Sequence, residues 1–296
     1  MAQTKKPHGF SIRIFLPDGT PDGLKLVEKS NWSGLGVVCP RSLFAEKKAQ
    51  AEFARTGVYI LLGPSDTSEL PRVYVGQGDA VRPRLEAHHA KKDFWTTAIF
   101  FVSKDANLNS AHVHYLEAEL VRLAKEAHRC ELDNGNQPEK PSLSAADEAD
   151  TQTFLDEMLL CFPVLGVSVF EKPASSVPKK NLLYLKAKDC DARGYESADG
   201  FVVLKGSRAR AHEVPSFHAY LTDLRATLVA NGVLQQDGDT YVLTQDYEFL
   251  SPSSASAAME GRTSNGRVEW HDKDGRTLKE LQAAAAGAGT LDAEQS

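Results

Sequence analysis

No two of the four cysteines, Cys39, Cys130, Cys161 and Cys190, stand at the close spacing of a zinc-binding or redox pair. Neither a cysteine-built metal site nor a disulfide framework is therefore expected, and the thiols read as buried and inert. Long apolar runs are also missing. The longest, such as Ala98 to Val102 and Phe201 to Leu204, fall far short of the roughly 20 residues that a membrane-spanning helix needs, so no membrane partner is expected. Lys5 and Lys6 are followed by no apolar stretch with a small-residue cleavage site, and a reducing cytoplasm is the expected compartment. Positive charge is scarce too. A net charge of −6 argues against a protein that coats nucleic acid with its whole surface.

What is present is a chain of 296 residues, 42% hydrophobic and 25% charged, long enough for two domains with sizeable cores. One stretch runs against the overall charge. Between Arg72 and Lys92 stand five basic residues, Arg72, Arg82, Arg84, Lys91 and Lys92, against two acids, Asp79 and Glu86, with His88 and His89 among them. Such an island is either a solvated helix face or a local nucleic-acid footprint.

The patterning predicts five regions. Residues 1–54 read as a small β element, with strands at Phe10–Phe15 and near Leu24–Val27, followed by a charged helix over Ser42–Phe53. Residues 55–140 read as a compact α+β domain. In it Thr56–Leu62 and Arg72–Gly76 pair as a hairpin, and helix Ala80–Ala90, strand Thr97–Ser103 and helix Ser110–His128 follow. Residues 141–180 read as a linker carrying a helix and a strand, with a boundary at Ser175–Lys180. Residues 181–282 form a second α+β domain. Its expected elements are strands at Leu182–Leu185 and Gly200–Leu204, a helix over Ser216–Asn231, a hairpin turning at Asp237-Gly238, a serine-capped helix over Ser251–Met259 and a strand at Arg267–Trp270. Residues 283–296, rich in Ala and Gly, are expected to be disordered.

Alternation in the hairpin turns Tyr59 and Tyr74 away from the aliphatic rows formed by Val58, Ile60, Leu62, Val73 and Val75. Pro83 belongs in the first turn of the next helix because it lacks an N–H, which puts Arg84 near the helix start, where a phosphate meets free amides. His88 is four residues on and shares that face. In the long helix, Val113, Leu116, Leu120, Leu123 and Ala124 form the apolar stripe, with Asn109 as cap. Glu117 sits against that stripe, where a carboxylate is costly unless it is paired or holds a metal. Glu119, Arg122 and Glu126 are expected on the solvent side.

Together these residues resemble the GIY-YIG nuclease superfamily. The two tripeptides read Gly57-Val58-Tyr59 and Tyr74-Val75-Gly76, Arg84 follows the second motif tyrosine by ten residues, His88 follows after four more, and Glu117 lies in His114-Tyr115-Leu116-Glu117. An asparagine after that helix completes the pattern, Asn134 or Asn136, of which Asn134 is preferred. The resemblance spans about Thr56 to Pro138. It implies a small domain with a three-stranded mixed sheet and flanking helices, and hydrolysis of DNA phosphodiester bonds with Mg²⁺ or Mn²⁺ held by Glu117. By the same resemblance Tyr59 activates or aligns water, Arg84 and Tyr74 bind the phosphate, and His88 assists proton transfer or contacts the phosphate. Arg72, Arg82, Lys91 and Lys92 are candidate DNA contacts, and the pathways implied are restriction, repair or defence against phage and other mobile elements. One departure is Gln77, which stands where the repair branch carries a lysine. The alternatives are a non-catalytic DNA-binding or regulatory module on the same scaffold and, more remotely, an RNA-directed enzyme.

Residues from about Leu182 to Leu281 resemble family 4357 of the domains of unknown function. The matching stretches are Gly200 to Ser207, Ser251-Pro252-Ser253-Ser254-Ala255, and Asn265-Gly266-Arg267 with Trp270. Lys205, Arg208 and Arg210 offer a basic stretch and Tyr241, Tyr247 and Trp270 candidate stacking surfaces for target DNA, branched and modified forms included. Aromatics of this kind also build small cores.

Overall fold

A computed structural model of the chain describes residues 9–66, 70–105, 107–171, 182–198, 200–214 and 217–292. The chain divides into two compact units, Met1–Glu171 and Lys172–Ser296. Both are mixed α+β, each built on a seven-stranded sheet.

In the first unit the strands are β1 (Ile12–Phe15), β2 (Lys25–Lys29), β3 (Gly34–Pro40), β4 (Gly57–Gly63), β5 (Arg72–Gly78), β6 (Thr97–Ser103) and β7 (Glu131–Leu132), in the order β1-β2-β3-β6-β4-β5-β7. All neighbours are antiparallel except β5 and β7. The helices are α1 (Phe44–Lys47), α2 (Val81–Lys91), α3 (Ser110–Ala127) and α4 (Ala145–Val164). One face of the sheet packs Val58, Ile60, Val73 and Val75 with Leu116 and Leu120 of α3 and Phe154, Leu155 and Met158 of α4. The opposite face packs Tyr59, Leu61 and Phe100 with Phe44 of α1 and Val81 and Leu85 of α2. Covered on both sides, β4 and β6 are near-continuous apolar runs, because neither face can present polar side chains to water.

Three expectations are corrected here. The expected β element of residues 1–54 is, over its described residues 9–54, no separate element, since β3 pairs with β6 over its whole length and β1 and β2 extend the same sheet; seven strands stand where three were expected. The region after residue 140 is no linker up to Glu171, because α4 lies in the same core as β4 and β5, and Val167 to Phe170 form no strand. The expected boundary at Ser175–Lys180 lies outside the described residues. The helix expected over Ser42–Phe53 is broken into α1 and two 3₁₀ turns, Arg41–Leu43 and Ala51–Ala54. The sole element buried there besides Phe44 is Phe53, and the two rings meet with centroids 6.1 Å apart.

The second unit contains β8 (Leu183–Ala187), β9 (Cys190–Glu196), β10 (Phe201–Val203), β11 (Arg208–Arg210), β12 (Leu234–Asp237), β13 (Thr240–Leu243) and β14 (Tyr247–Phe249). Their order is β12-β13-β11-β9-β10-β14, with β8 on β9. The helices are α5 (Ala219–Ala230), α6 (Pro252–Glu260), α7 (Gly266–Glu269) and α8 (Leu278–Asp292). The strand expected at Arg267–Trp270 is instead α7, and the cause is a clasp onto α6. Ser251 caps α6 in a capping box with Ser254, Ser253 Oγ accepts from Gly266 N–H at 3.1 Å, and Trp270 Nε1 donates to Pro252 O at 3.1 Å. Asn265 turns the chain by accepting from Arg267 N–H. A Cβ at Gly266 would lie 2.5 Å from Ser253 N and closer still to Pro252. Gly266→Ala is therefore expected to destabilise this unit by about 2–3 kcal/mol, read as a lowered denaturation midpoint of the full chain. The tail was expected to be disordered from Ala283, yet α8 runs to Asp292. Leu278, buried, and Leu281 anchor its start on the core, and the alanines that follow are the strongest helix formers.

Candidate active site

The antiparallel register of β4 and β5 sets Tyr59 opposite Gly76 and Leu61 opposite Tyr74, so both phenols stand on the α2 face. The pairing explains the glycine of the second tripeptide. A Cβ at Gly76 would lie 2.5 Å from Tyr59 Cζ, so the Tyr59 ring lies across the bare backbone of its partner strand. Gly78 does the same for α2, where a Cβ would meet Ala80 O at 2.7 Å and Arg84 Cγ at 3.0 Å.

Helix α2 brings His88 over the two rings. Tyr59 Oη and His88 Nε2 are hydrogen-bonded at 2.9 Å, the Tyr74 and His88 ring centroids are 4.7 Å apart, and the Tyr59 and Tyr74 ring centroids are 6.3 Å apart. Tyr59 is 2% exposed, whereas Tyr74 and His88 are partly exposed. Burial, then the neighbouring Tyr74, push the Tyr59 phenol far up, and burial and the Glu117 charge push Tyr74 up. Burial first, then Lys92 and Arg84, pull His88 down to about 4. Its imidazole is thus neutral and able to take a proton at pH 7. An NMR titration of His88 should show a midpoint near pH 4. Because the unfolded chain takes up that proton first, this group's contribution to stability is complete above pH 6.5 and is lost as the pH falls from there towards 4.

Arg84 is exposed and, among the described residues, has no ion pair or hydrogen bond. Glu117 comes from α3, on the other face, yet both helices pack on β5. Its charge acts on Tyr59 and Tyr74, and Arg84 acts on it in return. Burial raises the Glu117 carboxyl, with Arg84 opposing. The His114 ring lies beside it, with Nδ1 4.0 Å from Glu117 Oε2. No group of three or more His, Cys, Asp or Glu that could hold a metal occurs among the described residues. A lone carboxylate of this kind suits a hard cation such as Mg²⁺, which keeps most of its waters and completes its shell with substrate phosphate.

The border of β5 is the setting. Strand β7 pairs with it only at Arg72 and Val73. Asn134 then stands in for the next residue of a strand: its Oδ1 accepts from Val75 N–H at 2.9 Å and its Nδ2 donates to Val75 O at 2.8 Å. The Asn134 amide is consumed in positioning the strand that carries Tyr74 and Gly76. Asn136 is exposed.

The basic island is only partly available. Arg72 and Lys92 both pair with Asp133, which sequence reasoning missed, and Lys92 Nζ lies 4.6 Å from the Tyr74 ring centroid. Arg82 Nε is buried without a partner among the described residues. Lys91 is exposed and has no partner among the described residues. Glu119 was expected on the solvent side but is 8% exposed, bonded to Arg122 at 2.7 Å and to Lys140 at 3.3 Å. The segment after α3 folds back over it, with Gln137 Nε2 donating to Ala118 O. All four cysteines are free and buried; burial pushes their thiols up, to about 11 for Cys161 and about 12 for the others.

In the second unit Lys205 is exposed, Arg210 is partly exposed, and Arg208 pairs with Asp237 at 3.0 Å. Tyr247 and Trp270, expected as stacking surfaces, are 2% and 0% exposed and belong to the core. Their apolar neighbours, Phe249 and Phe201, explain this, with ring centroids at 4.8 Å and 4.5 Å. Tyr241 alone of the three is partly exposed.

Fold and site together define a two-unit α+β protein with a cluster of phenol, imidazole, guanidinium and carboxylate in its first unit. Residues 183–282, within the second unit, match the family model described as Domain of unknown function (DUF4357). No curated protein and no solved structure matches the chain. No helix among the described residues is long and apolar enough to cross a membrane.

Proposed function

We propose that the first unit is a divalent-cation-dependent endonuclease of the GIY-YIG type that hydrolyses DNA phosphodiester bonds, with the DUF4357 unit aiding target recognition. The observation that carries this reading is the Tyr59–His88 hydrogen bond with the Tyr74 ring beside both, near an exposed guanidinium without an ion pair and a mostly buried carboxylate to which, among the described residues, no lysine or arginine is paired. Opposite charges that the fold leaves without a close lysine, arginine or carboxylate partner, near a neutral proton acceptor, suit a charged substrate.

The burial order refines the roles that the family resemblance implies. Tyr59 is too enclosed to be the group that first meets solvent, so the partly exposed Tyr74 oxygen accepts the proton of the attacking water. The Tyr74 proton passes to Tyr59 and the Tyr59 proton to His88 Nε2, leaving hydroxide at phosphorus and an imidazolium, with no free phenolate on the way. Arg84 offsets the charge that grows on the phosphate oxygens. Glu117 is the residue that would hold Mg²⁺ or Mn²⁺, and the cation supplies stabilisation of the departing oxygen. Lys91 and, in the second unit, Lys205 and Arg210 are the cations open to backbone phosphates. Restriction, repair and defence against mobile elements all employ such a reaction.

The test is incubation of the full chain with supercoiled, single-stranded and branched DNA, and with RNA as competitor, in Mg²⁺ and in Mn²⁺. Nicking that a chelator stops supports the reading. DNA binding without cleavage under every condition would leave a non-catalytic binding module in its place, and preferential cleavage of RNA would change the substrate class. Tyr59→Phe, which breaks the relay while keeping the ring over Gly76, should slow cleavage about 10²-fold in single-turnover rates.

A further inference from the structure

His114 lies one helical turn before Glu117 on α3, so both side chains leave the helix on one side. It is half exposed, and its Nδ1 is 4.0 Å from Glu117 Oε2, too far for a direct hydrogen bond. The two donors therefore leave space between them rather than satisfying each other. Gln77 on β5 also touches the ring, its amide nitrogen 3.1 Å from Nε2 and 3.4 Å from Nδ1. The nitrogen and oxygen of such an amide interchange by a flip. With the oxygen towards the ring, Gln77 accepts the Nε2–H, and the Nδ1 lone pair is left for a cation. Ligating histidines are usually oriented in this way, by an acceptor on the second ring nitrogen.

We propose that His114 is a second protein ligand of the cation held by Glu117, oriented by Gln77, and that the site consequently selects Mn²⁺ or a similar borderline cation over Mg²⁺. An imidazole nitrogen adds little for Mg²⁺, which prefers oxygen and gives up water reluctantly, and much for the later divalent ions. Gln77 is next to Gly76 on the strand that carries Tyr74, so the same strand orients the cation ligand and one end of the proton relay. The inference rests on the nuclease reading for its biological meaning, though not for its test.

The test measures cation affinity directly on the full chain, by electron paramagnetic resonance of free Mn²⁺ and by competition of Mg²⁺ against it. His114→Ala should weaken Mn²⁺ about 10-fold or more and Mg²⁺ by less than about 3-fold. Gln77→Leu should weaken Mn²⁺ several-fold, with no further loss when combined with His114→Ala. Glu117→Gln should remove both ions. An unchanged ratio of Mn²⁺ to Mg²⁺ affinity in His114→Ala, or no Mn²⁺ bound by the unaltered chain, overturns the inference. If Mn²⁺ follows both residues while no nucleic acid is cut, the nuclease reading falls and the site stands. If cleavage needs Glu117 while the ratio ignores His114, the inference falls and the nuclease stands.

Discussion

Glutamine in place of Glu117 is expected to lower cation-dependent cleavage by on the order of 10³-fold or more, and to leave the protein as stable as before or more so. The two halves of this expectation come from one fact. Glu117 is 15% exposed and, among the described residues, no lysine or arginine forms an ion pair with it, so its charge carries a desolvation cost that Arg84 offsets only in part. The sign follows from the raised carboxyl. The unfolded chain loses this proton at a lower pH than the folded chain does, so the cost grows as the pH rises through that interval and is complete above it. At pH 7 the glutamine variant should therefore unfold at a temperature equal to or above that of the unaltered chain, and near pH 4 the difference should shrink. Single-turnover cleavage and thermal unfolding at the two pH values check both halves. Loss of activity together with a lowered unfolding temperature would mean that Glu117 serves the fold instead.

Arg84→Ala is expected to slow cleavage by about 10²- to 10³-fold, with the unfolding temperature unchanged. The guanidinium is exposed and makes no hydrogen bond or ion pair among the described residues, and substitutions at such positions shift stability by no more than about 0.5 kcal/mol. Its removal withdraws the donors that face phosphate and relaxes the downward pull on Glu117 and on both phenols. Arg84→Lys keeps the charge but not the planar fork that grips two oxygens at once, so it should recover only part of the rate. Recovery to the full rate would assign Arg84 to general attraction of DNA, which rising salt would weaken.

The parts of this site that could be read from the sequence are those set by local rules. Two-residue alternation turned Tyr59 and Tyr74 to one face, Pro83 fixed the start of α2, and helical spacing put His88 above Arg84 and Glu117 beside Leu120; the structure has each arrangement. Depth was not legible. Alternation gives the direction of Tyr59 but not the covering of its ring by His88 and Tyr74. Asp133 escaped notice because its partners, Arg72 and Lys92, are 61 and 41 residues away in sequence. Non-local pairing likewise hid β3, whose run Gly34–Pro40 mixes glycine with apolar residues, and hid the joining of β1 and β2 to the same sheet. In the second unit the local pattern around Arg267 to Trp270 gave no warning that Gly266 presses against the start of α6.

Asn134 closes the β5 border with a single carboxamide. By occupying both main-chain groups of Val75, it denies them to any strand arriving from another molecule, and an unguarded flank of this kind is where sheets of separate chains fuse into aggregates. The residue that holds the Tyr74 strand in place thus also leaves no open main-chain pair at Val75 for a foreign strand.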